Sequence, residues 1–154
     1  MTRRVLTAAL LLAACGDPRP LQPGSSTGNP DAGDVPDVGP STHTTTAECA
    51  AAHIGGVALD TLTYSNFGQA FFSSWCTRCH GTTVSGPDRH GAPSDHNFDS
   101  LAGVQVWAKQ IDQMAGMNPT GSVRNSQMPP LNEPAPGDDD RQRLACFIAT
   151  GLAP

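Results

Sequence analysis

The run Trp75-Cys76-Thr77-Arg78-Cys79-His80 places two thiols two residues apart and an imidazole directly after the second. Thiols at that spacing sit about one helical turn apart, so both can be joined to one flat prosthetic group. The histidine that follows is then carried beneath the group, where it can bind a metal at its centre. Two other chemistries use the same cysteines: a dithiol redox pair and half of a zinc site. A thioredoxin-like pair expects a βαβ pattern around it, and none is visible. A zinc site wants a second close pair of ligands, whereas Cys15, Cys49 and Cys146 stand singly and far away.

With Trp75 as an aromatic residue before the first cysteine, this run resembles the attachment motif of the c-type cytochromes. The resemblance covers residues 65 to about 152. It implies a small all-α domain of the cytochrome c kind, with few helices wrapped around one covalently bound haem c. Cys76 and Cys79 would carry the thioether bonds and His80 would be the proximal iron ligand. In that family a methionine before proline often supplies the second iron ligand, and Met128 in Ser126-Gln127-Met128-Pro129-Pro130 matches that pattern. Met114, Met117, His90, His96 and His43 are weaker candidates. A proline carbonyl commonly accepts the Nδ1 proton of the proximal histidine, fixing its plane. Pro93 is the candidate and Pro87 the second, with a simple turn as the alternative. Trp107 and Arg124 are candidates to reach a haem propionate, against core packing for the first and plain exposure for the second.

The function implied is single-electron transfer between protein partners. The alternative is a haem-based gas or redox sensor, or a peroxidase-like protein with an open distal position. No residue set resembles an acid/base or nucleophile constellation, so an enzyme is not expected. With Cys76 and Cys79 given to haem and Cys15 to the leader, Cys49 and Cys146 remain as a pair that an oxidising compartment would join. A buried free Cys146 is the alternative.

Several elements must position these residues. Residues 1–14 read as a leader, with Arg3 and Arg4 before an apolar run. Leu12-Ala13-Ala14-Cys15 resembles the bacterial lipoprotein box, which implies cleavage before Cys15 and lipid modification there. That would put the protein in the bacterial cell envelope, anchored by its N-terminal lipid and facing the periplasm or the outer surface. Residues 15–46 form a predicted linker. Gly16 to Thr46 holds six prolines and five glycines, too little apolar surface to offset its ordering entropy. As coil or extended polyproline it would reach roughly 30 to 95 Å.

The predicted domain is 47–154. A short helical turn is expected at Glu48–His53, broken by Gly55-Gly56, with 57–64 ambiguous. The next helix is predicted to start at Ser65 or Asn66, either as cap, with Phe67, Ala70, Phe71 and Ser74 on one face. Residues 81–99 read as loop, with Phe98 as its main apolar contact. Asp99 is expected to cap a helix from Ser100 to Ala115, whose stripe is Leu101, Val104, Ala108, Ile111 and Ala115. A last helix should open at Gly137-Asp138-Asp139-Asp140, where acidic groups suit the positive helix end. The net charge of −5 offers no basic surface, so nucleic acid is not an expected partner.

Overall fold

A computed structural model describes residues 44–154. The leader at 1–14, Cys15, His43 and most of the linker lie outside the described residues. Thr45 opens the first helix, α1 (Thr46–Ala51), through a reciprocal cap. Its hydroxyl accepts from Glu48 N at 3.2 Å, and the Glu48 carboxylate accepts from Thr45 N at 2.7 Å. Helix therefore begins at Thr46, one residue before the predicted boundary at Ala47. A two-stranded antiparallel ribbon follows, β1 (His53–Ile54) with β2 (Val57–Ala58). Gly55 and Gly56 turn it with φ of +61° and +81°, a pair of left-handed positions suited to a two-residue hairpin. The domain is thus mostly helical but not wholly so.

The helix leading to the paired cysteines is capped by Thr63, not by Ser65 or Asn66. The Thr63 hydroxyl accepts from Asn66 N at 3.1 Å, and Asn66 Oδ1 accepts from Thr63 N at 2.7 Å. Its first turn, Tyr64–Gly68, is π-wound, with Gly68 N donating to Thr63 O at 3.1 Å. The wider turn shifts the buried face of α2 (Gln69–Trp75) onto Phe71 and Phe72, leaving Ala70 and Ser74 exposed. The helix is distorted at Cys76, whose φ is −114°, and α3 (Thr77–His80) carries Cys79 and His80 onward.

Ser100, not Asp99, caps α4 (Leu101–Ala115) by accepting from Gly103 N at 3.2 Å. Asp99 instead accepts from Thr82 N and Thr82 Oγ1, both at 2.7 Å, which closes the neck of the loop between α3 and α4. Val104, Ile111 and Ala115 are the buried members of the α4 stripe. The last helix, α5 (Asp138–Ala149), buries Leu144, Cys146 and Phe147. It crosses the π-wound turn at Gly68, where a Cβ would lie 3.1 Å from the Phe147 ring. The same Cβ would lie 2.9 Å from the Tyr64 ring, so any larger residue would force both rings to shift. A disulfide joins Cys49 in α1 to Cys146 in α5 across 97 residues, with Cα atoms 5.5 Å apart. The core is apolar and continuous, from Leu59 and Leu62 through Phe71, Phe72 and Phe98 to Leu144 and Phe147. Among the described residues no helix is long and apolar enough to cross a membrane.

Candidate functional site

Cys76 keeps a helical conformation (φ −114°, ψ −43°) between α2 and α3, so Cys76 and Cys79 lie about one turn apart and line the same space. Cys79 N and His80 N both donate to Cys76 O, at 3.2 and 2.9 Å, so the three residues form one tight turn. Cys76, Cys79, His80 and Met128 all line a single cavity of about 320 Å³. That is within the range of about 300–1,000 Å³ typical of pockets for small molecules and cofactors. Phe71, Trp75, Phe98, Ile111, Met114 and Ala115 give it mostly apolar walls. Both thiols are free. Cys76 keeps some accessible surface, but the surrounding protein crowds its sulfur, and burial pushes the thiol up to about 12.

His80 is held from two directions. Its Nδ1 lies 3.1 Å from the carbonyl oxygen of His96, and its ring stacks on Phe98 with centroids 4.5 Å apart and planes 18° apart. A nitrogen facing a carbonyl must carry the proton, so Nε2 is left with its lone pair for a metal. Burial also lowers the pKa of His80, which favours the neutral, ligating form. The role expected of Pro93 therefore falls to His96. The chain turns between them, with His96 N donating to Pro93 O at 3.2 Å, and it is the later carbonyl that reaches the ring. Pro93 lines the cavity, and its carbonyl accepts from Arg89.

Arg89 went unnoticed in the sequence. It is 6% exposed, and its guanidinium donates to six neutral oxygens: the carbonyls of Gly81, Val84, Ala92, Pro93 and His96, and Asn97 Oδ1. A second arginine was equally hidden. Arg141 on α5 is 2% exposed, and its Nη1 donates to the carbonyls of Ala115 and Asn125 at 2.8 Å and of Met128 at 3.2 Å. Met128 N donates in turn to Met114 O at 3.0 Å, so the backbone on which Met128 sits is tied on both sides.

Two other expected site residues are not brought to the cavity. Arg124 pairs with Asp138 at 2.7 Å on the surface, where α5 begins. Trp107 packs against the His96 ring, centroids 3.8 Å apart, and so lies behind the cavity wall. Met117 is buried away from the cavity, whereas Met114 and His90 line it. At its mouth Glu133 lies 2.7 Å from Arg78 and 3.9 Å from His90, joining the segment between the two cysteines to the loop that carries Met128.

The polar groups inside this apolar space are short of partners. Both ring nitrogens of His96 and the Oε1 atom of Gln110 are buried without a hydrogen bond, the Asp95 carboxylate lying 3.8 Å from His96 Nδ1. A flat apolar ring bearing carboxylates suits such a site, since an imidazole N–H and, after an amide flip, the Gln110 amide would satisfy them. Among the described residues no three His, Cys, Asp or Glu side chains gather to hold a bare ion. A metal already held in a porphyrin needs only one or two ligands from the protein. No protein-family model matches the chain, and comparison with curated proteins and with solved structures finds no match.

Proposed function

We propose that the chain is a mono-haem c-type cytochrome, with a cytochrome c-like fold, that carries single electrons in the bacterial cell envelope. In this reading it is tethered through a lipid at Cys15 and exchanges electrons with other redox proteins. The observation that carries it is that Cys76, Cys79, His80 and Met128, spread over 53 residues of chain, line one largely apolar cavity. Bound haem would supply an iron that gains and loses one electron.

The chain supplies the rest. Each thiol would add its S–H across one vinyl double bond of the haem, so attachment would need no net oxidant. His80 offers Nε2 while the His96 carbonyl holds its Nδ1 proton and Phe98 keeps its ring from turning. Met128 offers a thioether, a ligand type that raises the reduction potential. Its carbonyl, held by Arg141, limits how far the loop can retreat between oxidation states. The apolar walls exclude water and lower the local dielectric.

The test is the visible spectrum and intact mass of the full chain, expressed with a haem-attachment system. The expected product is coloured, heavier than the polypeptide by one haem, and resistant to haem extraction. Cys76→Ala with Cys79→Ala should abolish all three properties. A colourless native protein at the bare polypeptide mass would sink the reading.

A further inference from the structure

We propose that Arg89 tunes the electron affinity of the metal held by His80, acting as a positioning residue through the carbonyl of His96. The proposal rests on the haem reading above. One oxygen serves two donors: His96 O accepts from Arg89 Nη2 at 3.0 Å and lies 3.1 Å from His80 Nδ1. A charged donor takes the larger share of such an acceptor. The bond to His80 is weakened in proportion, so the imidazole keeps its Nδ1 proton more fully and pushes less electron density toward the metal. The charge itself acts in the same direction. Arg89 is buried, its six acceptors are all neutral oxygens, and among the described residues it joins no ion pair. Solvent and salt screen a buried charge poorly, and a positive field beside the site favours the less positive, reduced metal. Both effects raise the potential.

Removing a residue that merely fastened the loop would loosen the His96 carbonyl from His80 and weaken the proximal bond, whereas removing a tuning residue strengthens it, which separates the two roles. The experiment uses the full chain with haem attached, compared with Arg89→Gln, Arg89→Lys and Asn97→Asp. The last variant puts a carboxylate where Asn97 Oδ1 now lies 3.1 Å from Arg89 Nη1, neutralising the guanidinium in place. Equilibration with a redox dye should show the constant for reduction falling about tenfold in Arg89→Gln, roughly 59 mV for a one-electron couple. Asn97→Asp should fall in the same direction, and Arg89→Lys less than Arg89→Gln. Resonance Raman of the ferrous protein in a Met128→Ala background reads the iron–histidine stretch. It should rise in Arg89→Gln, as the His96 carbonyl turns wholly to His80, and change little in Asn97→Asp. Should Arg89→Gln fail to fold, Asn97→Asp and Arg89→Lys carry the test. A haem-bearing protein whose potential is the same in every variant that folds overturns this inference and leaves the proposed function standing. A native protein that takes up no haem overturns both.

Discussion

The loop of residues 81–100 and the loop of residues 116–137 both flank the cavity, both are irregular apart from a 3-10 turn at Gly86–Arg89, and each is gathered around the guanidinium of a buried arginine. They differ in where that arginine comes from. Arg89 belongs to the loop it organises, and every acceptor lies within eight residues of it. Arg141 comes from α5 and reaches carbonyls 13 to 26 residues earlier in the chain. The first loop can therefore close on itself around His80. The second depends on α5 being docked, and so on the Cys49–Cys146 link and the Gly68–Phe147 crossing. Histidine is held locally, methionine at a distance. Damage to the tertiary structure should accordingly release Met128 before His80.

The largest blow to that dependence is removal of the disulfide. Cys49→Ser with Cys146→Ser opens a loop of 97 residues in the unfolded chain, which costs up to about 4.7 kcal/mol in the chain-entropy model. Urea titration should show the loss and, if the chain carries haem as proposed, the near-infrared methionine–iron band should fade before the Soret band changes. Simultaneous loss of both signals would mean the two loops are not separable. Next comes Arg141→Met, which leaves three carbonyls without their donor at about 1 kcal/mol or more apiece, roughly 3 kcal/mol in all. In the haem-bearing protein proposed above, carbon monoxide should bind the reduced variant quickly and the native protein slowly. Equal rates would show that Met128 does not need Arg141.

The smallest effect sharpens the comparison from the other loop. Hydrogen bonds from the Thr82 hydroxyl and amide hold the Asp99 carboxyl below the ordinary carboxylate range. Its folded value is thus lower than its unfolded value of about 3.9. The stabilisation is fully present above the unfolded value and is lost as pH falls through the folded one. Asp99 is exposed, so solvent keeps the effect small. Asp99→Asn should flatten the stability profile below about pH 4 and leave the methionine band unchanged. A profile identical to that of the native protein would remove Asp99 from the account.

How much of this could be read from the chain follows the same division between near and far. The Cys-x-x-Cys-His run, the α4 stripe and the acid-rich start of α5 are local patterns, and helix periodicity with end signals places them within a residue or two. Two further local signals were present and passed over: Thr45-x-x-Glu48 and Thr63-x-x-Asn66, each with the spacing of a reciprocal cap. The π-wound turn at Tyr64–Gly68 carries no comparable mark, and it moves the buried face off Ala70 and Ser74. Arg89 and Arg141 could not be singled out, because they bind backbone carbonyls, and carbonyls are the same in every residue. Only the path of the loops decides which ones converge. For that reason the sequence points to Arg124 and not to Arg141, and to Pro93 for the carbonyl that His96 supplies.

One consequence attaches to the parallel ring of Phe98. Phe98 N donates to His80 O at 2.7 Å while its side chain lies flat against the imidazole, so backbone and ring are clasped by the same residue. Rotation of the imidazole about its own axis would have to lift a buried aromatic out of the core. The compass bearing of the ring is thus settled by the polypeptide before any metal arrives. In a ferric, paramagnetic form, such a molecule would give one set of displaced proton resonances in place of a mixture of rotational isomers.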